Sequence, residues 1–464
     1  MNYFKRELTP GEKMFTHLGG EMSMTFIGQV EGLISPDVLQ QALRLVQKRH
    51  LLLQVHISKS DEGVFFESGD AQDIPLQVID KQSDNQWVAI AETEVNQTLC
   101  VNIGPLCRVI FLRSTEPGST SEIIVTMHHA ICDAISGLNF IDQVLSYCQQ
   151  IEAGESIADV VTLAALPPLK DLFNASSVNQ GTGENPQEES NWDAQSAWGG
   201  PQPLISEFFE GQAALSDCHT RFLTRQLSRE MTIQLKTRSK EEGTTVHAAL
   251  CAAMLFGAAA IARADAPVYL SCGSSVSLRN YCEPKVQDDH LSCISDGVTH
   301  TYSVGKTTSF WDLARESKSN LVQSMSNGSW IVNSADFFES MENMPQLEQL
   351  RAELERLMGR YASVLIANAG QAKFSGQYGT IQLKGLYFPI SVHLAGPCFA
   401  LNVVTLDDQM FCTFPYVVPM FSDETMAMFA DSVMAILHQS CVPQAFELGG
   451  FDGVAHEKTP QLTA

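Results

Sequence analysis

Apolar residues recur at three- and four-residue intervals along several parts of the chain, a spacing that predicts amphipathic helices. The clearest helix begins after Ser35, a good N-cap, has Pro36 in its first turn and ends at Arg49. The same pattern predicts further helices at 136–150, 244–263, 346–360 and 423–439.

Two segments rich in β-branched residues predict strands, Glu122–His128 and 269–279. A predicted helix follows the first strand, so residues 129–135 form a strand-to-helix loop. Between 174 and 203 the sequence is rich in Gly, Asn, Gln, Ser, Pro and Glu, which is typical of a linker. We therefore expect an N-terminal α/β half over 1–173, a flexible linker over 174–203 and a C-terminal α/β half over 204–464.

Composition is that of a globular protein and limits the partners. Of the 464 residues 44% are hydrophobic and 18% are charged, and the formal charge of -24 repels nucleic-acid and membrane phosphates, so no nucleic-acid partner is expected. The longest apolar run, Ala248–Ala262, is shorter than the roughly 20 residues of a membrane span. The cysteines form no CxxC pair and the N-terminus lacks an apolar signal segment, which predicts reduced thiols and a cytoplasmic location.

Most catalytic sequence motifs are missing. Gly181-Thr182-Gly183 lacks the third glycine of a dinucleotide fingerprint, and Gly305-Lys306-Thr307 lacks the first glycine of a phosphate-binding loop. Neither G-x-S-x-G nor HExxH occurs, so a serine hydrolase or a zinc protease has no support.

His128 and His129, followed by Asp133, lie where a predicted strand ends, a common position for catalytic groups. An imidazole is partly neutral at cytosolic pH and can accept a proton from an alcohol or an amine. Successive strand side chains point to opposite faces, so we expect one histidine to reach a substrate and the other to pack.

These residues alone leave three alternatives open. The histidine pair is equally consistent with a structural role. A metal site is disfavoured, because adjacent histidines diverge and no further ligands follow at zinc-like spacing, so no metal is predicted. Cys132 is a candidate nucleophile, although cysteine more often packs as a small hydrophobe.

The segment His128-His129-x-x-x-Asp133 resembles the HHxxxDG motif of an acyltransferase superfamily. This superfamily comprises condensation domains of non-ribosomal peptide synthetases, polyketide-associated acyltransferases of the phthiocerol dimycocerosyl transferase type, alcohol acetyltransferases and chloramphenicol acetyltransferase. The likeness covers essentially the whole chain. Its further landmarks are Arg6-x-Leu8-Thr9-x-x-Glu12, Arg49-His50-Leu51-x-Leu53, Gly104-Pro105-Leu106-x-Arg108, Thr245-Val246-His247-Ala248-Ala249-Leu250, Ser277-Leu278-Arg279 and Asn368-x-Gly370.

The resemblance implies an α/β fold in which two chloramphenicol acetyltransferase-like mixed-sheet halves form a pseudo-dimer with a central tunnel. An acyl thioester and a nucleophile would enter from opposite faces and meet at His129, the general base. The resemblance makes His128 structural and has Asp133 orient the loop through an ion pair with Arg279. It gives Arg108 and Asn368 supporting positions.

Two departures from the superfamily pattern stand out. Ala134 follows Asp133 where the superfamily has glycine, and its methyl group is expected to narrow the passage beside the base or to restrict the backbone. The tryptophan-containing C-terminal motif of the plant branch is missing, which favours the bacterial or fungal branches.

Six basic residues and one acidic residue lie between Arg221 and Lys240. Our hypothesis is that Arg225 and Arg229 bind the phosphates of coenzyme A or of a phosphopantetheine arm. The alternative is a solvated surface, which most charge runs form.

These features predict an O-acyltransferase of lipid or secondary-metabolite biosynthesis. It would move an acyl group from acyl-CoA or an acyl carrier protein to an alcohol, less favourably to an amine, and no bound cofactor is expected. One alternative is a condensation-type enzyme that needs an acyl or peptidyl carrier protein and forms amide or ester bonds. The other is a non-catalytic binding module that retains the fold.

Overall fold

Two six-stranded sheets organise the chain. The structure is a computed structural model that describes residues 3–17, 22–69, 72–116, 118–157, 159–173, 202–264, 266–327 and 355–442. Helices in these ranges are α1 Pro10–His17, α2 Pro36–Arg49, α3 Gln86–Asn96, α4 Ala134–Glu152, α5 Arg229–Glu241, α6 Val246–Ala262, α7 Phe310–Asn327 and α8 Asp423–Ser440. Strands are β1 Lys5–Glu7, β2 Ser23–Glu31, β3 Val55–Ser60, β4 Gly63–Ser68, β5 Leu76–Asp80, β6 Cys107–Arg113, β7 Ser121–His128, β8 His219–Leu227, β9 Val268–Ser277, β10 Ser295–Val304, β11 Arg360–Gln371, β12 Gln377–Tyr378, β13 Ile381–Tyr387, β14 Gly396–Leu406 and β15 Gln409–Val418.

The N-terminal sheet has the order β12-β13-β2-β7-β6-β5, and a small sheet β1-β4-β3 lies beside it. β2 and β7 run antiparallel, with Ser23 opposite His128. Helix α4 packs on β2 so closely that a β-carbon on Gly137 would lie 2.0 Å from the ring of Phe26. This close approach places the first turn of α4 directly against β2.

The C-terminal sheet has the order β10-β9-β11-β14-β15-β8. Helix α6, an almost entirely apolar segment capped by Thr245, covers it, with α7 and α8 packed against the helix. Residues from Ala248 to Ala258 are buried, as expected for a helix that is hydrophobic all round.

Strands β12 and β13 belong to the C-terminal part of the sequence and yet complete the N-terminal sheet, with Leu386 of β13 opposite Gly28 of β2. The predicted division at residue 204 therefore does not separate the two sheets cleanly. Hydrophobic patterning shows that a segment is a strand, but it does not show which sheet the strand joins. The predicted linker lies outside the described residues, except for 202 and 203.

Several predicted elements are confirmed with boundaries shifted by a few residues. They are the helices α2, α4, α6 and α8 and the strands β7 and β9. The loop predicted over 129–135 is shorter, because residues His129–Ile131 form a 3-10 turn and Asp133 caps α4. The helix predicted at 346–360 lies largely outside the described residues, and its last residue, Arg360, is the first residue of β11 instead.

Candidate functional site

His129 follows directly on β7 and begins the short turn that leads to α4. Its backbone N–H donates to the carbonyl of Met22 at 2.9 Å, which ties the turn to the segment before β2. Its Nδ1 lies 3.1 Å from the carbonyl oxygen of Cys132. A carbonyl can only accept, so Nδ1 carries the proton and Nε2 retains its lone pair.

Burial favours the neutral form of this imidazole. Burial lowers the pKa of His129, although the nearby Asp133 carboxylate and the Cys132 carbonyl act in the opposite direction. A neutral imidazole whose Nδ1 is already bonded offers Nε2 as a proton acceptor. Nε2 is therefore the ring nitrogen that is available to accept a proton.

His128 has a different environment. It is completely buried, and its Nδ1 accepts the backbone N–H of Ala130 at 3.2 Å. Burial lowers the pKa of His128 to about 3, so this ring stays neutral throughout the physiological range. It helps to shape the turn, whereas His129 lines a cavity.

Asp133 connects the turn to the other half of the molecule. Its Oδ1 accepts the backbone N–H of Ser136 at 2.8 Å, and the Ser136 hydroxyl accepts the Asp133 N–H at 3.0 Å, which makes a capping box for α4. Its Oδ2 accepts from Arg279 and from the backbone N–H of Ile294 at 3.0 Å. Asp133 and Arg279 are both buried, so the carboxylate that caps α4 also joins the two halves.

A cavity of about 960 Å³ lies between the halves, and His129 forms part of its wall. Many of its apolar residues belong to the N-terminal part and to the segment after β13, whereas most of its hydroxyl and amide side chains come from the C-terminal sheet. The apolar group includes Met14, Phe15, Met22, Met24, Phe388 and Ile390, and the polar group includes Ser275, Ser277, Ser295, Thr299, Asn368 and Asn402.

Ala134 also lines this cavity, where the superfamily pattern has glycine. It is the first residue of α4, and its φ angle is not positive. The backbone is therefore one that alanine adopts without strain. Of the two expected effects of this methyl group, only a narrowing of the passage is compatible with the geometry.

The thiol of Cys132 is poorly placed to act as a nucleophile. Its side chain is completely buried, and Sγ donates to the carbonyl oxygen of His128 at 3.6 Å. Burial raises the pKa of Cys132 well above its ordinary value, which disfavours the reactive thiolate.

The two other supporting residues have separate environments. Asn368 lines the cavity, and its Oδ1 accepts the backbone N–H of Gly370 at 2.9 Å. Arg108 is not among the cavity residues. Its Nε donates to Oε2 of Glu94 at 2.6 Å, and its terminal nitrogens donate to the carbonyls of Gln97 and Thr98 at the end of α3.

Arg225 and Arg229 point to carboxylates of the C-terminal half. Arg225 pairs with Asp431 at 2.6 Å, Arg229 pairs with Asp407, and neither arginine lines the cavity. Phosphate binding by these arginines stays a prediction that the geometry does not strengthen.

Phe15 is a residue of this site that the sequence alone did not single out. Its ring stacks on the imidazole of His129, with the ring centroids 4.1 Å apart and the planes inclined by 5°. The available signal was its position three residues after Glu12, the last residue of the quoted N-terminal motif.

Within the described ranges, no group of three His, Cys, Asp or Glu side chains is arranged to hold a metal ion. No single helix in these ranges is long and apolar enough to cross a membrane. The pair α5 and α6 reaches the required length and hydropathy only jointly, and it bends by 100° between the two helices.

Comparisons with known proteins agree with this architecture. The condensation-domain family model matches residues 13–281, and the model of the phthiocerol/phthiodiolone dimycocerosyl transferase C-terminus matches residues 219–376. Among curated proteins, the nonribosomal peptide synthetase sirP of Leptosphaeria maculans is 25% identical over 175 residues, which is 36% of this chain and 8% of the synthetase. The chain thus corresponds to a small part of that relative.

Solved structures share the fold along nearly the whole chain. Trichothecene 15-O-acetyltransferase TRI3 from Fusarium sporotrichioides has a TM-score of 0.71 at 12% identity, covering 94% of this chain and 96% of its own. Polyketide synthase associated protein 5 from Mycobacterium tuberculosis has a TM-score of 0.64 at 16% identity, covering 94% and 97%.

The expected fold, two chloramphenicol acetyltransferase-like halves in a pseudo-dimer, is confirmed. The family matches indicate a transferase whose general reaction is acyl transfer or condensation. Because the condensation-domain model matches more than half of the sequence, the chain belongs to the condensation-domain family.

Proposed function

We propose that the protein transfers an acyl group from a thioester to a hydroxyl group, with His129 as the general base. The observation that carries this proposal is the position of the His129 imidazole on the wall of the cavity between the halves, with Nδ1 directed at the Cys132 carbonyl. In the reaction Nε2 removes the hydroxyl proton while the oxygen attacks the thioester carbonyl. The C–S bond then breaks, and the departing thiolate takes the proton from Nε2, so that a thiol leaves and the imidazole is neutral again.

The site supplies little beyond a base and a place to hold two substrates. A thioester is reactive enough to need no covalent enzyme intermediate, and aligning it with a nucleophile can lower the barrier by about 7–11 kcal/mol at best. Proton removal by a positioned imidazole adds about 10²- to 10⁴-fold. A hydroxyl benefits most from this base, because a neutral amine attacks without prior deprotonation.

The lining favours an apolar acyl chain. The methionines Met14, Met22 and Met24 line the cavity together with Phe388 and Ile390, and methionine adapts to chains of different shape. The serine and asparagine side chains on the C-terminal sheet suit the amide-containing arm of a thioester donor or a hydroxylated acceptor. We infer that lipid or secondary-metabolite substrates fit a cavity with these apolar and polar parts.

Release of free coenzyme A, followed by mass spectrometry, tests this function. A panel of acyl-CoA donors with pooled alcohols and amines is offered to the wild type and to His129→Ala, with His219→Ala as the control because His219 is exposed on β8. We expect acceptor-dependent release that falls at least about a hundredfold in His129→Ala and is unchanged in His219→Ala. Equal release by His129→Ala and the wild type would exclude His129 as the base.

A second candidate is a condensation reaction with carrier-bound substrates. Its support is the condensation-domain match and the likeness to part of a nonribosomal peptide synthetase. Such an enzyme would ignore free acyl-CoA and act on an acyl or peptidyl carrier protein loaded with the same acyl group. Activity with neither donor, together with full cellular function of His129→Ala, would instead indicate a non-catalytic binding module.

A further inference from the structure

Phe15 lies flat against one face of the proposed base. The centroids of its ring and of the His129 imidazole are 4.1 Å apart and the planes differ by 5°. Phe15 belongs to α1, which contacts the 129–131 turn, and both residues line the cavity. One face of the imidazole is therefore covered by an aromatic ring.

The N-terminal motif Arg6-x-Leu8-Thr9-x-x-Glu12 holds α1 in place. Arg6 donates to both carboxylate oxygens of Glu12, at 3.0 and 2.8 Å. Glu12 also accepts the backbone N–H of Thr9 at 2.8 Å, and the Thr9 hydroxyl accepts the N–H of Glu12 at 3.3 Å. The guanidinium of Arg6 lies over the ring of Phe66, 5.2 Å from its centroid. These contacts fix the start of the helix that carries Phe15 one turn later.

The imidazole needs such a support. Its side chain has one strong hydrogen bond, from Nδ1 to the Cys132 carbonyl, and this bond alone permits the ring to tilt about the acceptor. A ring stacked on one face restricts that tilt. It also replaces water on this face, which disfavours the charged imidazolium, while its π-face attracts the cation. Loss of the ring is therefore expected to change the pKa of His129.

We propose that Phe15 is a positioning residue for His129, which keeps Nδ1 directed at the Cys132 carbonyl and Nε2 free to accept the proton. The kinetic consequence of this inference rests on the proposed function. The stacking and its effect on the imidazole can be tested without a substrate.

Several ionisable groups lie around His129, and replacing Phe15 removes none of them. On its own segment these are His128, Cys132 and Asp133, and from other elements they are Glu12 of α1, Arg279 through its pair with Asp133, and Cys293, whose Sγ lies 3.9 Å from Nδ1. A change in His129 titration on replacing Phe15 therefore reports the loss of the stacked ring.

The kinetic experiment compares Phe15→Leu, Phe15→Tyr and Phe388→Leu. Phe388 lines the same cavity but stacks with Phe26, so its replacement removes a ring without uncovering His129. We expect Phe15→Leu to lower kcat about tenfold or more with KM nearly unchanged, and to shift the acidic limb of the kcat/KM profile. Phe15→Tyr should retain activity, and Phe388→Leu should leave the acidic limb of the kcat/KM profile in place. Adding Phe15→Leu to His129→Ala should cause no further loss of activity.

An NMR titration of the His129 ring protons, assigned with His129→Ala, separates this inference from the proposed function. The expected result is a His129 pKa below the ordinary value of about 6.5 in the wild type and in Phe388→Leu, and a different His129 pKa in Phe15→Leu. An identical His129 titration in Phe15→Leu and the wild type overturns the positioning role, even if acyl transfer is observed. A shifted titration without acyl transfer supports the stacking and counts against the proposed function.

Discussion

Arg279 forms a buried ion pair with Asp133, across the boundary between the C-terminal and N-terminal halves. Asp133 caps the helix that follows the His129 turn, and Arg279 follows β9, whose residues line the cavity. The geometry of the proposed base and the docking of the two halves therefore depend on the same contact.

Replacing Arg279 with Met should destabilise the protein by about 3–5 kcal/mol, because the Asp133 carboxylate would remain buried without its counter-charge. Urea denaturation at neutral pH measures this loss. Arg113→Met is the matched control, since Arg113 and Asp80 pair at the surface and should contribute no more than about 1 kcal/mol. A similar small loss in both variants would contradict the role of the buried pair, and Arg279→Met with Asp133→Asn should recover part of the stability.

Acid should destabilise the fold before its carboxylates titrate. Burial lowers the pKa of His50 and His393 to about 4 and that of His128 to about 3. These histidines bind protons more readily in the unfolded chain than in the folded protein. Their contribution to the free energy of unfolding is therefore complete above about pH 6.5. It decreases as the pH falls towards the pKa of each folded histidine, by about 1.4 kcal/mol per pH unit for each histidine. Urea denaturation at pH 7, 6 and 5 should show this decline, and an unchanged midpoint across the series would refute it.

Gly137→Ala should destabilise the protein by about 1–3 kcal/mol, because the new methyl group would overlap the ring of Phe26. Thermal unfolding compares it with Gly11→Ala, another helical glycine, where no atom lies within 4 Å of the added β-carbon. The stability of Gly11→Ala should be unchanged or should rise by up to about 1 kcal/mol, because alanine has the higher helix propensity. Equal stability of the two variants would show that α4 and β2 can separate without cost.

Ala134→Gly should change activity by no more than about threefold and should lower stability by less than about 1 kcal/mol, since the alanine backbone is unstrained. Ala134→Val places more volume on the cavity wall and should reduce kcat/KM most for the bulkiest acceptor. Steady-state kinetics with acceptors of increasing size distinguish these effects. A tenfold or larger gain in Ala134→Gly would mean that the natural methyl group obstructs the passage.

Local sequence signals identified the elements around the site. Ser35 and Ser422 are typical N-cap residues and predict the starts of α2 and α8. In the structure both side chains accept the expected backbone N–H. The His128–Asp133 segment marked the turn. Periodicity places the start of α4 at residue 136, whereas the helix begins at Ala134, because Asp133 and Ser136 form a capping box that hydrophobic periodicity does not indicate.

The rest of the site depends on contacts between distant segments. Phe15 and His129 are separated by more than a hundred residues, and periodicity within α1 does not show which ring its aromatic residue will meet. The hypothesis about Arg225 and Arg229 also rests on local sequence alone. A run of basic residues does not show that distant carboxylates, here Asp431 and Asp407, will pair with them in the folded chain.

The crossing of β13 into the N-terminal sheet has a consequence for synthesis of the chain. Until residues 381–387 have left the ribosome, one edge of β2 exposes backbone N–H and C=O groups that will later bond to β13. The half that carries the histidine motif is thus translated early but receives its last strands late, and a nascent chain arrested before this point would present an open β-edge to its neighbours.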